Sequence, residues 1–272
     1  MEFDFERFAY TKCNNYILLS GRAMASILIF GGPELARPFV ETIPASFSVI
    51  VHGLVAGDFP NRDNVRPLAD PGELQGGFPD DLRAIVDLDY DRAARERNFD
   101  SIGRAPAGTL FITNALTMTA TEAASKAGGL PAIGIGYVPA LYGASTLLEA
   151  APALQTTPEA AEQGFALLRE LAGKELEIVT DRIALVSART LAMIVNEAAF
   201  ALMEGVADPE DIDVAMKLGT NYPEGPLRWA DIIGPDIVLQ VLQGLYDEYQ
   251  EERYRPCVLL KQLVRAGSGF HV

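Results

Sequence analysis

Two adjacent glycines, Gly31 and Gly32, follow the apolar run 26–30, which has the composition of a buried strand. A glycine turn that joins a strand to a helix is where a dinucleotide diphosphate docks, because the backbone approaches the phosphates and the helix offers free N–H groups. In this chain the turn continues into Pro33, which has no N–H, and Glu34, which adds a carboxylate. We therefore expect this turn to bind a diphosphate poorly.

A second candidate for the first strand is the run 16–19, which Gly21 follows. The segment after it keeps one glycine of the three in the G-x-G-x-x-G pattern, so this alternative is no better. The second predicted strand leads into His52, where a dinucleotide site needs an acid to hold the ribose. Gly31 and Gly32 remain the candidate cofactor-binding residues, and no cofactor is assigned.

Asn114 and Glu149 are the candidate side chains of a ligand site. Asn114 follows the predicted strand 109–113, where an asparagine either lines a ligand cleft or forms a turn. Glu149 is either an acid held in a pocket or a solvated carboxylate at the end of a strand. Both alternatives stay open for each residue.

The chain has two histidines and two cysteines, which limits metal and nucleophile chemistry. Cys13 and Cys257 lie far apart without metal-ligand spacing, and we interpret both as reduced thiols. His52 and His271 are equally distant, so a histidine metal site or a Ser-His-Asp triad is hard to build. We expect no metal, and we interpret His52 as a strand-end side chain.

A chain of 272 residues, 49% of them hydrophobic, can bury a large core in one or two domains. Its net charge of −15 argues against nucleic acid, whose binding depends on Lys and Arg at the phosphates, and disfavours highly phosphorylated ligands. The sequence has no apolar stretch of membrane-spanning length and no basic-then-apolar leader. We therefore expect a cytoplasmic protein with neither a membrane nor a nucleic-acid partner.

Residues 1–180 alternate apolar runs with helix-like segments, which favours an α/β domain with a mostly parallel sheet. Residues 56–81 are rich in Asp, Pro, Gly and Asn and are predicted to form a long surface loop. A charged helix is predicted at 90–99, and a later helix has Thr157 as its N-cap and Gly173 after its end. The strands are expected at 26–30, 47–51, 84–88, 109–113, 132–136 and 175–180.

Residues 181–272 show no further strand pattern and are predicted to form an all-helical domain. The first helix, 183–204, is apolar on most of its circumference, so its own domain or a second subunit must bury it on several sides. Asp208 is the predicted N-cap of the next helix. The loop 221–226 has two prolines and a glycine that fix one shape, and Trp229 beyond it is interpreted as a packing residue. Further helices are expected at about 226–233, 235–250 and 256–266.

Several short segments of the second half form a recognisable pattern. They include Met-Ile-Val-Asn-Glu-Ala at 193–198 and Tyr-Pro-Glu-Gly-Pro at 222–226. The others are 204–207, 211–213, 215–219, 252–256 and 266–270. On these segments the second half resembles the C-terminal domain of the 3-hydroxyacyl-CoA dehydrogenase family. It is similar above all to the second, cofactor-less half of fused dehydrogenases that act on 3-hydroxyadipyl-CoA in phenylacetate breakdown.

The first half resembles the NAD-binding domain of that family as a degenerate, Rossmann-like copy. Thr113-Asn114, with Thr121-Glu122-Ala123 beyond it, matches the T-N-T-S-S-L-S-I-T-E segment of the family. Residues 134–149 parallel the G-x-H-F-F-N-P-V-P-x-M-x-L-V-E segment. The resemblance implies that the catalytic acid is retained at Glu149. It also implies that the positions of the catalytic His, the catalytic Ser and the substrate-facing Asn hold Gly136, Leu116 and Ala188.

Taken with the resemblance, the residues predict a degenerate Rossmann-like sheet in 1–180 and a helical dimerisation domain in 181–272. NAD is implied by the family, but the binding loop is degraded and the base is absent. We expect a homodimer formed through the C-terminal helices, or a structural partner of a catalytic dehydrogenase, that still holds an acyl-CoA between its domains. The alternatives are an active NAD-dependent dehydrogenase with a non-standard base and a metabolite-sensing or assembly module.

Overall fold

The computed structural model describes residues 24–53, 58–59, 61–68, 74 and 77–271. The alternative first strand at 16–19 and Cys13 lie outside the described residues, so the predictions made for them stay predictions. None of the helices in the described part of the chain is long and apolar enough to cross a bilayer.

Eight strands form one mostly parallel sheet, as predicted. The strands lie in the order β3-β2-β1-β4-β5-β6-β7-β8, and only the β6–β7 pair among them is antiparallel. Their bounds are β1 Ser26–Phe30, β2 Ser48–His52, β3 Val65–Leu68, β4 Leu82–Asp87, β5 Leu110–Asn114, β6 Ala132–Ile135, β7 Leu147–Pro152 and β8 Glu175–Ile178. The direction of strand order reverses between β1 and β4, and the carboxyl ends beside such a reversal form the ligand crevice of open α/β sheets.

The inner strands are buried on both faces, which explains why they read as continuous apolar runs. All five residues of β1 and of β5 are buried. Helices on the two faces of the sheet complete separate hydrophobic clusters. The helices of this part are α1 Pro33–Val40, α2 Arg92–Ile102, α3 Ala120–Lys126, α4 Pro139–Tyr142 and α5 Pro158–Ala172.

Two strands correct the sequence predictions. The predicted loop 56–81 contains β3, a four-residue edge strand that carries Pro67 and pairs in parallel with β2. A proline there costs no ladder bond on the outer edge, so its presence does not prevent pairing. Strand β7 was not predicted, because its alanine-rich sequence does not form a continuous apolar run. It pairs antiparallel with β6.

The second half is helical after β8, with a core that also receives residues from the sheet part, among them Leu116. The predicted start of the first helix at 183 is wrong, because Ala184 and Leu185 adopt left-handed backbone angles (φ 58° and 45°). The N–H of Ala184 bonds instead to the carbonyl of Ala115 in the sheet part. The helices are α6 Ser187–Met203, α7 Pro209–Thr220, α8 Pro226–Ile233, α9 Pro235–Tyr249 and α10 Val258–Ala266.

Two carboxylates accept hydrogen bonds across the junction between the halves, one from each side. Asp181, in the connection after β8, accepts hydrogen bonds from the N–H groups of Ala120 and Thr121 at the start of α3. Glu149, on β7, accepts bonds from the N–H groups of Val186 and Ser187 at the start of α6. Each half therefore supplies the cap of a helix in the other.

Candidate functional site

A cavity of about 220 Å³ lies between the sheet part and the helices α6, α8 and α9. The sheet part supplies residues that follow the carboxyl ends of β5 and β6, and one side of β7. Leu116, Gly136, Ala188 and Glu149 all line this cavity. The four positions that the family resemblance picked out as catalytic therefore come together in space, although they are spread over more than seventy residues of sequence.

Glu149 is half-buried at the cavity, and its carboxylate is engaged by the start of α6. Oε1 accepts bonds from the N–H of Ser187 (3.0 Å) and from its hydroxyl (2.5 Å). Oε2 accepts bonds from the N–H groups of Val186 (3.0 Å) and Ser187 (3.2 Å). An ionised carboxylate has about four lone-pair sites, so this set satisfies it. The carboxylate therefore lies at the N-terminal end of α6, in the position of a helix cap.

Gly136 stands directly beside that carboxylate. A Cβ atom at this position would lie 3.4 Å from Oε2 of Glu149 and 3.6 Å from Cδ1 of Leu185. Both distances are ordinary van der Waals contacts, so the site has room for the first atom of a side chain. A proton acceptor at this position would therefore be adjacent to Glu149, and glycine provides none.

Tyr142 and Ser145 contribute the other polar side chains on the cavity wall. The Thr42 hydroxyl donates to the Phe39 carbonyl (2.7 Å), so the Tyr142 hydroxyl is the donor in its 3.3 Å contact with Thr42. Burial raises the pKa of Tyr142 to about 12, so the phenol keeps its proton at neutral pH. The Ser145 hydroxyl bonds to the backbone of Leu147.

Asn114 is fully buried and does not line the cavity. Its amide donates to the carbonyls of Leu88 and Tyr137, both at 3.1 Å, and its oxygen accepts a bond from the N–H of Leu116 (3.3 Å). The side chain thus joins the ends of β4, β5 and β6 at the carboxyl edge of the sheet. In this structure Asn114 holds the backbone beneath the site together.

Gly31 and Gly32 lie in the β1–α1 turn, at the reversal of strand order. Gly31 has a φ of 139°, and a Cβ there would lie 3.3 Å from Cβ of Leu88, so glycine is required. The N–H groups of Leu35 and Ala36 already bond to the carbonyl of Gly32. Pro33 has no N–H, so the first turn of α1 presents few free donors to an anion.

Sequence reasoning missed a buried ion pair just behind that turn. Arg95 on α2 is fully buried and donates to the Asp87 carboxylate (2.9 Å) and to the Thr113 hydroxyl. Burial raises the pKa of Asp87 to about 6, although the Arg95 guanidinium lowers it. Burial also raises the pKa of Asp89, which accepts a bond from Asn98. The signal available in the sequence was the acid at the end of a strand that is otherwise apolar.

Ser187 is the second residue that sequence reasoning missed. It begins α6 at the mouth of the cavity and donates to Glu149. Ser187 is the first residue of α6 and not its N-cap, so the usual N-cap signal of a hydroxyl residue did not identify this boundary.

No cluster of three metal-ligating side chains occurs among the residues that the structure describes. His271 lies between two carboxylates, with Nδ1 2.9 Å from Asp231 and Nε2 3.2 Å from Asp213. His52, at the end of β2, packs its ring against Phe30 with the ring centroids 5.5 Å apart.

A family model described as the 3-hydroxyacyl-CoA dehydrogenase C-terminal domain matches residues 185–269. The probable 3-hydroxybutyryl-CoA dehydrogenase of Deinococcus radiodurans is 36% identical over 205 residues, 70% of this chain and 71% of that protein. The probable 3-hydroxybutyryl-CoA dehydrogenase of Bacillus subtilis is 37% identical over 180 residues, 64% of this chain and 61% of that protein.

The 3-hydroxyadipyl-CoA dehydrogenase of Escherichia coli is 42% identical over 118 residues, which span 43% of this chain and 25% of that protein. The match to it therefore covers about a quarter of its length.

Solved structures share the fold. Mycobacterium tuberculosis FadB2 superposes with a TM-score of 0.75 at 19% identity, over 92% of this chain and 99% of the other. The (S)-3-hydroxybutyryl-CoA dehydrogenase PaaH1 of Ralstonia eutropha gives a TM-score of 0.68 at 23% identity, with the same two coverages. The mostly parallel sheet, the helical second half and the extended sequence match together show that this chain belongs to the 3-hydroxyacyl-CoA dehydrogenase family.

Proposed function

We propose that the chain is a family member that has kept the acyl-binding cleft between its two parts and has lost hydride transfer. One observation carries the proposal. The positions matching the family's catalytic His, Ser and Asn converge on one cavity, and there they hold Gly136, Leu116 and Ala188. None of these side chains can accept or donate a proton.

Hydride removal from a 3-hydroxyl requires a base for the hydroxyl proton, and the cleft offers a poor one. Glu149 is the acid on the cavity wall, and the α6 N-terminus and the Ser187 hydroxyl already saturate its oxygens. Loss of a positioned base alone slows a reaction by about 10²–10⁴-fold.

The residues of the β1–α1 turn do not fit a dinucleotide diphosphate. The turn has a proline where a phosphate needs an N–H donor, and Glu34 adds a negative charge to the first turn of α1. His52 ends β2, where an acid would hold the ribose. The residues of this turn therefore do not fit NAD.

The cavity itself favours an acyl chain. Apolar side chains from both parts of the molecule form most of its wall, as is common in sites for small organic ligands. The relatives are named after acyl-CoA substrates. As part of the proposal, we assign the same substrate class to the cleft of this chain.

We further propose that the chain works as a homodimer, or pairs with a catalytic dehydrogenase, through α6 and α7. These two helices form an apolar groove whose wall includes Met193, Ile194, Ala201 and Met216. Contiguous apolar surface of this kind marks interaction sites. Light scattering on the purified chain gives the mass of the homodimer, and a pull-down that retrieves an active dehydrogenase identifies the second arrangement.

The central test is a paired measurement on the purified protein. An assay with acetoacetyl-CoA and NADH is expected to show no NADH consumption at high protein concentration, with the Bacillus subtilis relative as the positive control. Calorimetry is expected to show no micromolar NADH binding but measurable binding of an acyl thioester. NADH consumption would overturn the proposal in favour of an active dehydrogenase with a non-standard base.

A further inference from the structure

We propose that the interdomain cavity selects acyl chains that carry no oxygen at C3, such as saturated or 2-unsaturated chains. This inference rests on the proposed function, because it assumes that an acyl thioester enters the cavity. It reverses the preference expected of a site that handles 3-hydroxy and 3-oxo groups.

Apart from Ser187 at the start of α6, the part of the wall contributed by helices α6 and α9 is apolar. Leu191 comes from α6 and Ile237, Val238 and Val241 come from α9. From the sheet part, Leu116 closes the cavity with a fully buried side chain. A hydrocarbon chain placed against these side chains loses only contact with water, which favours binding.

The polar side chains that line the cavity in the described part of the chain are Tyr142, Ser145, Glu149 and Ser187. The Ser187 hydroxyl proton is committed to Glu149, whose oxygens are in turn fully used. The Tyr142 proton is directed at Thr42, and the Ser145 hydroxyl donates to the carbonyl of Leu147. Each available side-chain proton therefore already has an acceptor within the protein.

Three backbone N–H groups of residues on the cavity wall are also occupied. The N–H of Leu116 bonds to Asn114, and the N–H of Gly136 bonds to the carbonyl of Glu149. The N–H of Ser187 bonds to the Glu149 carboxylate. A 3-oxo group is an acceptor, so one placed against these groups would lose its bonds to water without replacement.

The consequence is a ranking of ligands. An unpaired buried oxygen is unfavourable enough to weaken binding by about 10-fold or more. A 3-hydroxyl can still donate to a lone pair of Tyr142 or Ser187, so we expect a smaller loss for it than for a 3-oxo group. The expected order of affinity is hexanoyl, then 3-hydroxyhexanoyl, then 3-oxohexanoyl.

Calorimetric titration with three N-acetylcysteamine thioesters tests the ranking on the full chain. This carrier lacks the phosphates of coenzyme A, so the −15 net charge does not obscure the contribution of the acyl group. The three acyl groups are hexanoyl, (S)-3-hydroxyhexanoyl and 3-oxohexanoyl. We expect the Kd of the 3-oxo compound to exceed that of the hexanoyl compound by about 10-fold or more.

The outcomes separate the two proposals. Equal affinities, or tighter binding of the oxygenated compounds, would overturn the C3 inference and leave acyl binding in place. If neither these compounds nor the matching coenzyme A thioesters bind, the proposed acyl cleft itself is wrong.

A substituted cavity wall gives an independent check. Ala188→Ser places a hydroxyl on the α6 wall and is expected to narrow the 3-oxo to hexanoyl Kd ratio at least threefold, because the new donor can reach the ligand oxygen. Ala166→Ser, on the exposed face of α5, is the matched control and should leave the ratio unchanged. Leu116→Ser is a second variant with the same expected direction, and an unchanged ratio in both would contradict the inference.

Discussion

The helical half and the cleft use polar side chains in different ways. In the helical half, the Asn196 amide donates to the carbonyl of Arg255 and accepts a bond from the N–H of Cys257. Asp213 caps α8 through the N–H groups of Leu227 and Arg228. Each of these nearly buried polar groups binds backbone from another segment, so its partner is always present in the folded chain.

At the cleft, the polar side chains that the family resemblance implies would interact with a ligand and not with the backbone. Gly136, Leu116 and Ala188 stand there without polar groups, while Glu149 keeps its carboxylate. Glu149 is also the one of these four that bonds to backbone, at the start of α6. Under the proposed function, this difference is expected, because polar side chains are then required only where they hold the fold together.

The largest expected effect tests the helical half. A Cβ at Gly225 would lie 2.1 Å from Cγ of Asp213, so Gly225→Ala must displace that carboxylate from the α8 N-terminus. We expect a loss of about 4 kcal/mol in the free energy of unfolding, from overpacking and from broken buried hydrogen bonds.

Urea titration measures this loss against a matched control. Gly219→Ala on α7 meets no atom within 4 Å and should be neutral or stabilising by up to about 1 kcal/mol. A small effect of Gly225→Ala would mean that the Asp213 cap is dispensable.

A second prediction concerns the buried Asp87–Arg95 pair of the sheet half. Since the pKa of Asp87 is raised from 3.8 to about 6, the folded state binds its proton more tightly than the unfolded state does. The resulting contribution to the free energy of unfolding is fully present below pH 3.8 and is lost as the pH rises through 6. It amounts to about 3 kcal/mol.

The measurement is the free energy of unfolding from pH 4 to 7 for the natural chain and for Asp87→Asn. The variant should lack this part of the decline with rising pH. Parallel curves for the two proteins would contradict the assignment to Asp87.

A smaller effect distinguishes capping from catalysis at Glu149. Glu149→Gln replaces two acceptors with one acceptor and an amide donor that faces the N–H groups of α6, and we expect a loss of about 1–2 kcal/mol in stability. Glu177, paired with it in register on β8, is exposed, and Glu177→Gln is the control. Urea titration of both variants checks the difference, and equal stabilities would remove the capping role.

The smallest expected effect is on activity itself. The triple variant Gly136→His, Leu116→Ser and Ala188→Asn restores the residue types that the family resemblance implies. We expect it to remain inactive with acetoacetyl-CoA and NADH, because the β1–α1 turn still carries Pro33 and Glu34. NADH consumption by this variant would show that the nucleotide site is intact and that only the acid–base set was lost.

The helix ends were readable from sequence because local side chains determine them. Thr157 and Asp208 cap their helices through their own oxygens, and Gly173 ends α5 in a left-handed conformation, as predicted. The start of α6 was not readable, since the left-handed backbone at Ala184 and Leu185 depends on contacts with the sheet part. β3 and β7 were missed for a similar reason, because pairing with neighbouring strands stabilises them more than composition does.

The candidate site was partly predictable. The matched segments identified the residues that meet at the cavity, although sequence alone gave neither the cavity wall nor the bonds of Glu149. Asn114 was left open between a cleft residue and a turn residue, and its burial between three strand ends depends on tertiary structure. The Asp87–Arg95 pair was missed because an arginine on a charged helix reads as exposed until the fold buries it.

The exchange of helix caps across the junction has a consequence for how a ligand arrives. Separation of the halves would remove Asp181 from α3 and Glu149 from α6 at the same time, and the N–H groups that these carboxylates bind would lose those acceptors. We therefore expect the two halves to keep their relative position when a ligand binds. For the acyl ligand of the proposed function, we expect uptake in a single bimolecular step rather than through a slow closing motion.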